Sequence, residues 1–82
     1  MIEIKTCVTF GRVEDETLIV NTETGKVLKL DRQGTAIWEL YYNGYSVEQI
    51  ISHFSNQYPS QKSLIHSDVI NFFEMLQTEK II

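Results

Sequence analysis

The first ten residues alternate. Ile2, Ile4, Val8 and Phe10 fall on one face, and Glu3, Lys5, Cys7 and Thr9 fall on the other. A period of two predicts a half-buried strand over residues 2–10. Gly11 breaks the alternation, and the polar run Arg12, Val13, Glu14, Asp15, Glu16 predicts a connection. Residues 17–21 are rich in β-branched side chains and predict a second strand. Residues 22–25 predict a turn, with Gly25 free to take a positive φ. Residues 26–30 predict a third strand, with Leu28 and Leu30 on one face and Val27 and Lys29 on the other. Short turns between the three imply an antiparallel meander.

At Asp31 the period changes. Its carboxylate is placed to cap a first helix, whose apolar positions are Ile37, Leu40 and Tyr41 with Trp38 beside them. Asn43-Gly44 supplies a left-handed stop. Ser46 and Gln49 fit a capping box, and Val47, Ile50, Ile51 and Phe54 follow at the i, i+3, i+4, i+7 spacing of a second helix. That helix is expected to end before Pro59, the one proline. Residues 60–64 read as a linker. Ser67 or Asp68 is expected to cap a third helix over 67–79, with Ile65, Val69, Phe72 and Leu76 as its stripe. Ile70 and Phe73 form a second apolar line, wider than one packing face requires. Ile81 and Ile82 are expected to fold back as an apolar tail. The sum is an α+β arrangement over 1–82 as one domain: a three-stranded antiparallel sheet followed by three helices, the last two related as in a winged helix-turn-helix.

Composition narrows the function. The 82 residues are 43% hydrophobic, with a formal net charge of −4. Seven basic residues are scattered without a patch, which argues against nucleic acid as the main partner. A winged-helix DNA-binding regulator is the alternative reading, but the segment 67–79 carries Asp68, Glu74 and Glu79 and no Arg to read bases. One cysteine excludes an internal disulfide. No basic-then-apolar leader and no apolar run of about 20 residues are present, so neither export nor membrane spanning is expected and the cytoplasm is the expected location. His53, His66 and Cys7 lie on separate segments, and no spacing suggests a metal site. The expectation is a protein with no catalytic residues, no metal and no cofactor.

The edge of the small sheet is the more informative feature. A third strand with an open edge presents unpaired N–H and C=O groups, which invite either a peptide or a second copy of the chain. Peptide capture by strand addition draws affinity from main-chain bonds and specificity from side-chain pockets. Tyr41, Tyr42 and Tyr45 crowd the Asn43-Gly44 turn and could cover the core or meet a partner protein. The acidic run 14–16 could complement a basic peptide.

Several runs resemble one family. Thr24 through Asp31, then Gly34-Thr35-Ala36-Ile37-Trp38, look like the threonine-glycine hairpin, strand and glycine-alanine-x-isoleucine-tryptophan helix of the PqqD-like family. Gly44-Tyr45-Ser46-Val47-Glu48 and Asp68-Val69-Ile70-Asn71-Phe72-Phe73 resemble its second and third helices. Tyr41-Tyr42 departs from the usual pair of leucines. The family comprises peptide-recognition elements of ribosomally made, post-translationally modified peptide pathways. The resemblance implies a winged-helix-like fold and a leader peptide bound as an added strand between the third strand and third helix. The implied peptide-binding residues are Lys26, Val27, Leu28, Lys29 and Leu30 on the strand, with Val69, Ile70, Phe73 and Leu76 on the helix. The implied partners are a precursor peptide and a separate processing enzyme: a cysteine leader peptidase of the lasso-peptide type, which is favoured, or a radical SAM enzyme.

Overall fold

The computed structural model describes residues 4–82. Three antiparallel strands, β1 (Val8–Val13), β2 (Glu16–Asn21) and β3 (Val27–Leu30), precede three helices, α1 (Arg32–Tyr42), α2 (Val47–Gln57) and α3 (Lys62–Thr78). The sheet order is β1-β2-β3, so β2 is central and β3 is an edge. Ile19 of β2 stands between Phe10 and Leu28 on the face that meets the helices. Ile19, Leu30, Ile37, Trp38, Ile50, Val69 and Leu76 are buried together in one core. No helix is long and apolar enough to cross a membrane among the described residues.

The first strand differs from the alternation that predicted it. It runs from Val8 to Val13, and residues 4–7 lie outside it. Ile2 and Glu3 fall outside the described residues. The segment before β1 is held by the other end of the chain: the Lys5 N–H donates to the Ile81 carbonyl at 3.0 Å. Gly11 does not end the strand but pairs with Leu18 inside it. The polar run closes instead as a two-residue turn between Val13 and Glu16, with Glu14 at a φ of 57°. Two of its three acids are engaged: Asp15 lies 3.8 Å from Arg12, and Glu16 lies 3.2 Å from Lys29. Arg12 also bonds Glu39 of α1.

Helix ends follow local chemistry where a cap exists. The Asp31 carboxylate accepts from the Gly34 N–H at 2.8 Å and starts α1. Ser46 and Gln49 form both halves of a capping box, with bonds of 2.9 and 3.1 Å. Ser46→Ala removes the acceptor for the Gln49 N–H and is expected to cost about 1 kcal/mol. Thermal melting should show a loss of roughly 4–8 °C in a domain of this size.

The third helix begins earlier than expected. A 3-10 turn over Pro59–Gln61 leads directly into α3 at Lys62, where residues 60–64 read as a linker and Ser67 or Asp68 as the cap. Proline at the start of a helical turn forfeits no bond, because that N–H has no partner there in any case. Ile65, Val69, Phe73 and Leu76 form the buried line of α3. Phe73 therefore takes the core position and Phe72 the flank, the reverse of the assignment from spacing. The tail does fold back. Lys80, at a φ of 60°, reverses the chain and buries Ile81.

Candidate functional site

Hydrogen-bond alternation fixes which groups of β3 remain open. The Asn21 N–H donates to the Lys26 carbonyl at 3.0 Å, and pairs in an antiparallel ladder alternate between bonded and non-bonded. With Ile19 opposite Leu28 and Thr17 opposite Leu30, those two leucines turn their main-chain groups toward β2. Val27 and Lys29 turn theirs outward. Among the described residues no strand covers that side. The side chain of Val27 is 63% exposed, and Lys29 pairs with Glu16 on the outer face of the sheet.

One end of this edge is strapped and the other is open. Lys26 Nζ reaches Glu79 Oε2 at 2.8 Å, joining the turn before β3 to the end of α3. At the far end, Asp31, Gly34 and Phe72 meet where β3 passes into α1 and α3 crosses it. A cavity of about 370 Å³ opens there, lined by Asp31, Gln33, Gly34, Ile37, Asp68, Asn71 and Phe72. Gly34 is required by this approach. A Cβ built on it would sit 3.3 Å from the Phe72 ring and 3.4 Å from Leu30 Cβ. Gly34→Ala gains roughly 0.5–1 kcal/mol of helix propensity but must push Phe72 aside. Stability should stay within about 1 kcal/mol, because gain and crowding oppose, while the shifted ring narrows the cleft. Chemical-shift mapping of Phe72, with a denaturation curve alongside, checks both parts.

The structure sorts the residues singled out by the sequence. Val27, Leu28, Lys29 and Leu30 make up β3, and Lys26 lies just before it. Val69, Phe73 and Leu76 are only 2%, 7% and 0% exposed, so they belong to the core and do not line the cleft. Ile70 is half-buried, but at 100° per residue it lies about 160° around α3 from Phe72, facing away from β3. Phe72 is the side chain of α3 that meets Gly34 at the end of β3, and sequence spacing had placed it in the core stripe rather than at the site. Residues 72 and 73 both satisfy an i+3 or i+4 step from Val69, so periodicity could not choose between them.

Other candidates are dispersed. The Tyr41 ring packs on Phe73 at 4.9 Å, Tyr42 on Phe10 at 4.9 Å, and Tyr45 against His53 at 6.2 Å, so the three tyrosines face different surroundings. His53 also approaches Gln57 at 3.5 Å. Hydrogen bonding with the Glu23 carboxylate raises the Cys7 thiol above its ordinary pKa, and desolvation adds to this, so thiolate is scarce at neutral pH. Among the described residues no cluster of His, Cys, Asp and Glu is arranged to hold a metal.

No curated protein sequence matches the chain. A solved structure described as TbiB1 in complex with the TbiA(beta) leader peptide matches it with a TM-score of 0.88. Sequence identity is 24%, and the match covers 96% of this chain and 92% of that one, which is a likeness of fold. The family model for coenzyme PQQ synthesis protein D matches residues 16–82, from β2 through α3 to the tail. With that much of its length matched, the chain belongs to the PqqD family.

Proposed function

We propose that this protein is a leader-peptide-binding adaptor, a RiPP recognition element without chemistry of its own. It takes up the leader of a ribosomal precursor as an added strand on β3 and presents the attached peptide to a separate processing enzyme. The observation that carries this reading is the open main chain of Val27 and Lys29 beside the Phe72 cleft. The PqqD-type fold and its likeness to a protein described in complex with a leader peptide support it.

Magnitudes say what such a site needs. Each main-chain bond contributes about 0.5–1.5 kcal/mol net. Ordering a flexible peptide costs about 2–5 kcal/mol, which offsets most of that sum. Each large apolar side chain buried adds about 1.5–3 kcal/mol, so the surplus must come from anchors beside the strand. Leu28 and Phe72, both half-buried, are the groups we assign to receive them, with the core residues Val69 and Leu76 behind.

The recipient enzyme we favour is a cysteine leader peptidase of the lasso-peptide type, with a radical SAM enzyme as the other class, and the work is placed in the cytoplasm, where precursors are made. Titration of the purified chain with the leader of a small precursor encoded beside its gene tests the adaptor reading. Binding tighter than about 100 μM, or roughly −5.5 kcal/mol, is expected. Absence of binding at that level rules it out. Cleavage of the precursor by the neighbouring peptidase, accelerated by this chain, would identify the recipient.

A further inference from the structure

The strapped and open ends of β3 differ in what lies beyond them. Past the Lys26–Glu79 ion pair, the chain's own tail takes the space: Ile81 is buried there, and the Lys80 carbonyl accepts from Asn21 Nδ2 at 2.9 Å. Past Leu30, the cleft at Phe72 adjoins a second cavity of about 510 Å³ between α1, the end of α2 and the start of α3. Gln33, Ile37 and Asp68 line both, so the two cavities are neighbours.

We propose that this second cavity is an anchor site for a bulky apolar side chain of the captured peptide, outside its strand segment. This rests on the reading of β3 as a peptide-binding edge and adds a second point of attachment to it. The floor is apolar: Ile37 and Val69 are buried beneath it, and Phe54 is half-buried at its side. Tyr58 and Leu64 stand at the mouth, 55% and 58% exposed. Two large apolar side chains left in water around one cavity mark a surface to be covered. Its volume lies within the usual range for pockets that take a small ligand or a single large side chain.

The chemistry of the rim suits a peptide as the occupant. Gln33 and Gln61 each offer an amide that both donates and accepts, the same pattern as a main-chain peptide group. Arg32 and Asp68 also line the cavity, and neither has an ion-pair partner among the described residues. One cation and one anion leave the site without net charge, which suits a neutral main chain better than an anionic or cationic small molecule. Its place next to the cleft at the end of β3 then favours the same peptide.

The experiment is a display selection on the full chain, using random peptides about fifteen residues long, or ~50 Å when extended. Wild type is expected to enrich an alternating apolar block together with one bulky apolar residue at a fixed offset on one flank. A synthetic consensus peptide should bind Leu64→Asp at least tenfold more weakly. An aspartate in the first turn of α3 favours the helix, so this variant keeps its fold. Replacing the flanking residue of the peptide with alanine should cost about the same in wild type and little more in Leu64→Asp, the mark of a coupled pair. Enrichment confined to the alternating block, or additive losses in that cycle, overturns the anchor site and leaves strand capture standing. Consensus peptides that bind Lys29→Pro as well as wild type overturn strand capture itself, and the anchor with it. Failure to enrich any peptide overturns both.

Discussion

Lys29→Pro is expected to abolish useful peptide binding while leaving the fold in place. The N–H of Lys29 faces the open edge, so proline removes a donor that an incoming strand requires and puts a ring where its carbonyl would lie. The bonds that hold β3 to β2 run through Leu28 and Leu30 and are untouched. Edge strands accept proline at outward-facing positions for this reason. The residue before it, Leu28, is already extended, as a residue preceding proline must be. The lost ion pair with Glu16 joins two largely exposed side chains and is worth about 0–1 kcal/mol. Loss of one bond and a clash with the next should weaken binding by tenfold or more, at about 1.4 kcal/mol per tenfold. Lys29→Thr separates the alternatives, since it removes the charge and keeps the N–H. Isothermal titration of both variants should show binding kept by threonine and lost by proline, with melting curves confirming that both are folded.

Asn21→Ala is expected to be the most damaging polar substitution. Asn21 is 1% exposed, and its side chain ties together three parts of the chain. Its Oδ1 accepts from the N–H groups of Glu23 and Thr24 at 3.0 and 3.2 Å, which shapes the turn before β3. Its Nδ2 donates to the Lys80 carbonyl and holds the tail that buries Ile81. Alanine leaves these main-chain groups without their partner, at about 1–3 kcal/mol for each that stays buried. A total near 2–4 kcal/mol follows, or a melting temperature lower by roughly 10–25 °C. Calorimetry of the variant measures it. Peptide affinity per folded molecule should fall much less, because Asn21 does not face the open edge.

These two residues mark the boundary of what the sequence disclosed. Lys29 was legible: alternation placed it on an exposed strand, and strand order made that strand an edge. Asn21 was read only as the end of a strand, since nothing local shows that a side chain will reach residue 80. The same division runs through the fold. Asp31 and the Ser46–Gln49 box marked helix starts because a cap is a bond between near neighbours. The start of α3 has no side-chain cap at Gln61, so no local residue announced it. The turn at Glu14 takes a positive φ without the glycine or asparagine that would have signalled a hairpin. The cleft was legible only in part. The sequence pointed to α3, but which of Phe72 and Phe73 faces β3 depends on where α3 crosses Gly34.

Amide hydrogen exchange on ¹⁵N-labelled protein, with and without a saturating leader peptide, tests strand addition residue by residue. The amides of Val27 and Lys29 should exchange at least tenfold more slowly in the complex, while those of Leu28 and Leu30, already bonded to β2, change little. A complex that forms while Val27 and Lys29 still exchange as they do in the free protein would mean that the peptide is held somewhere else.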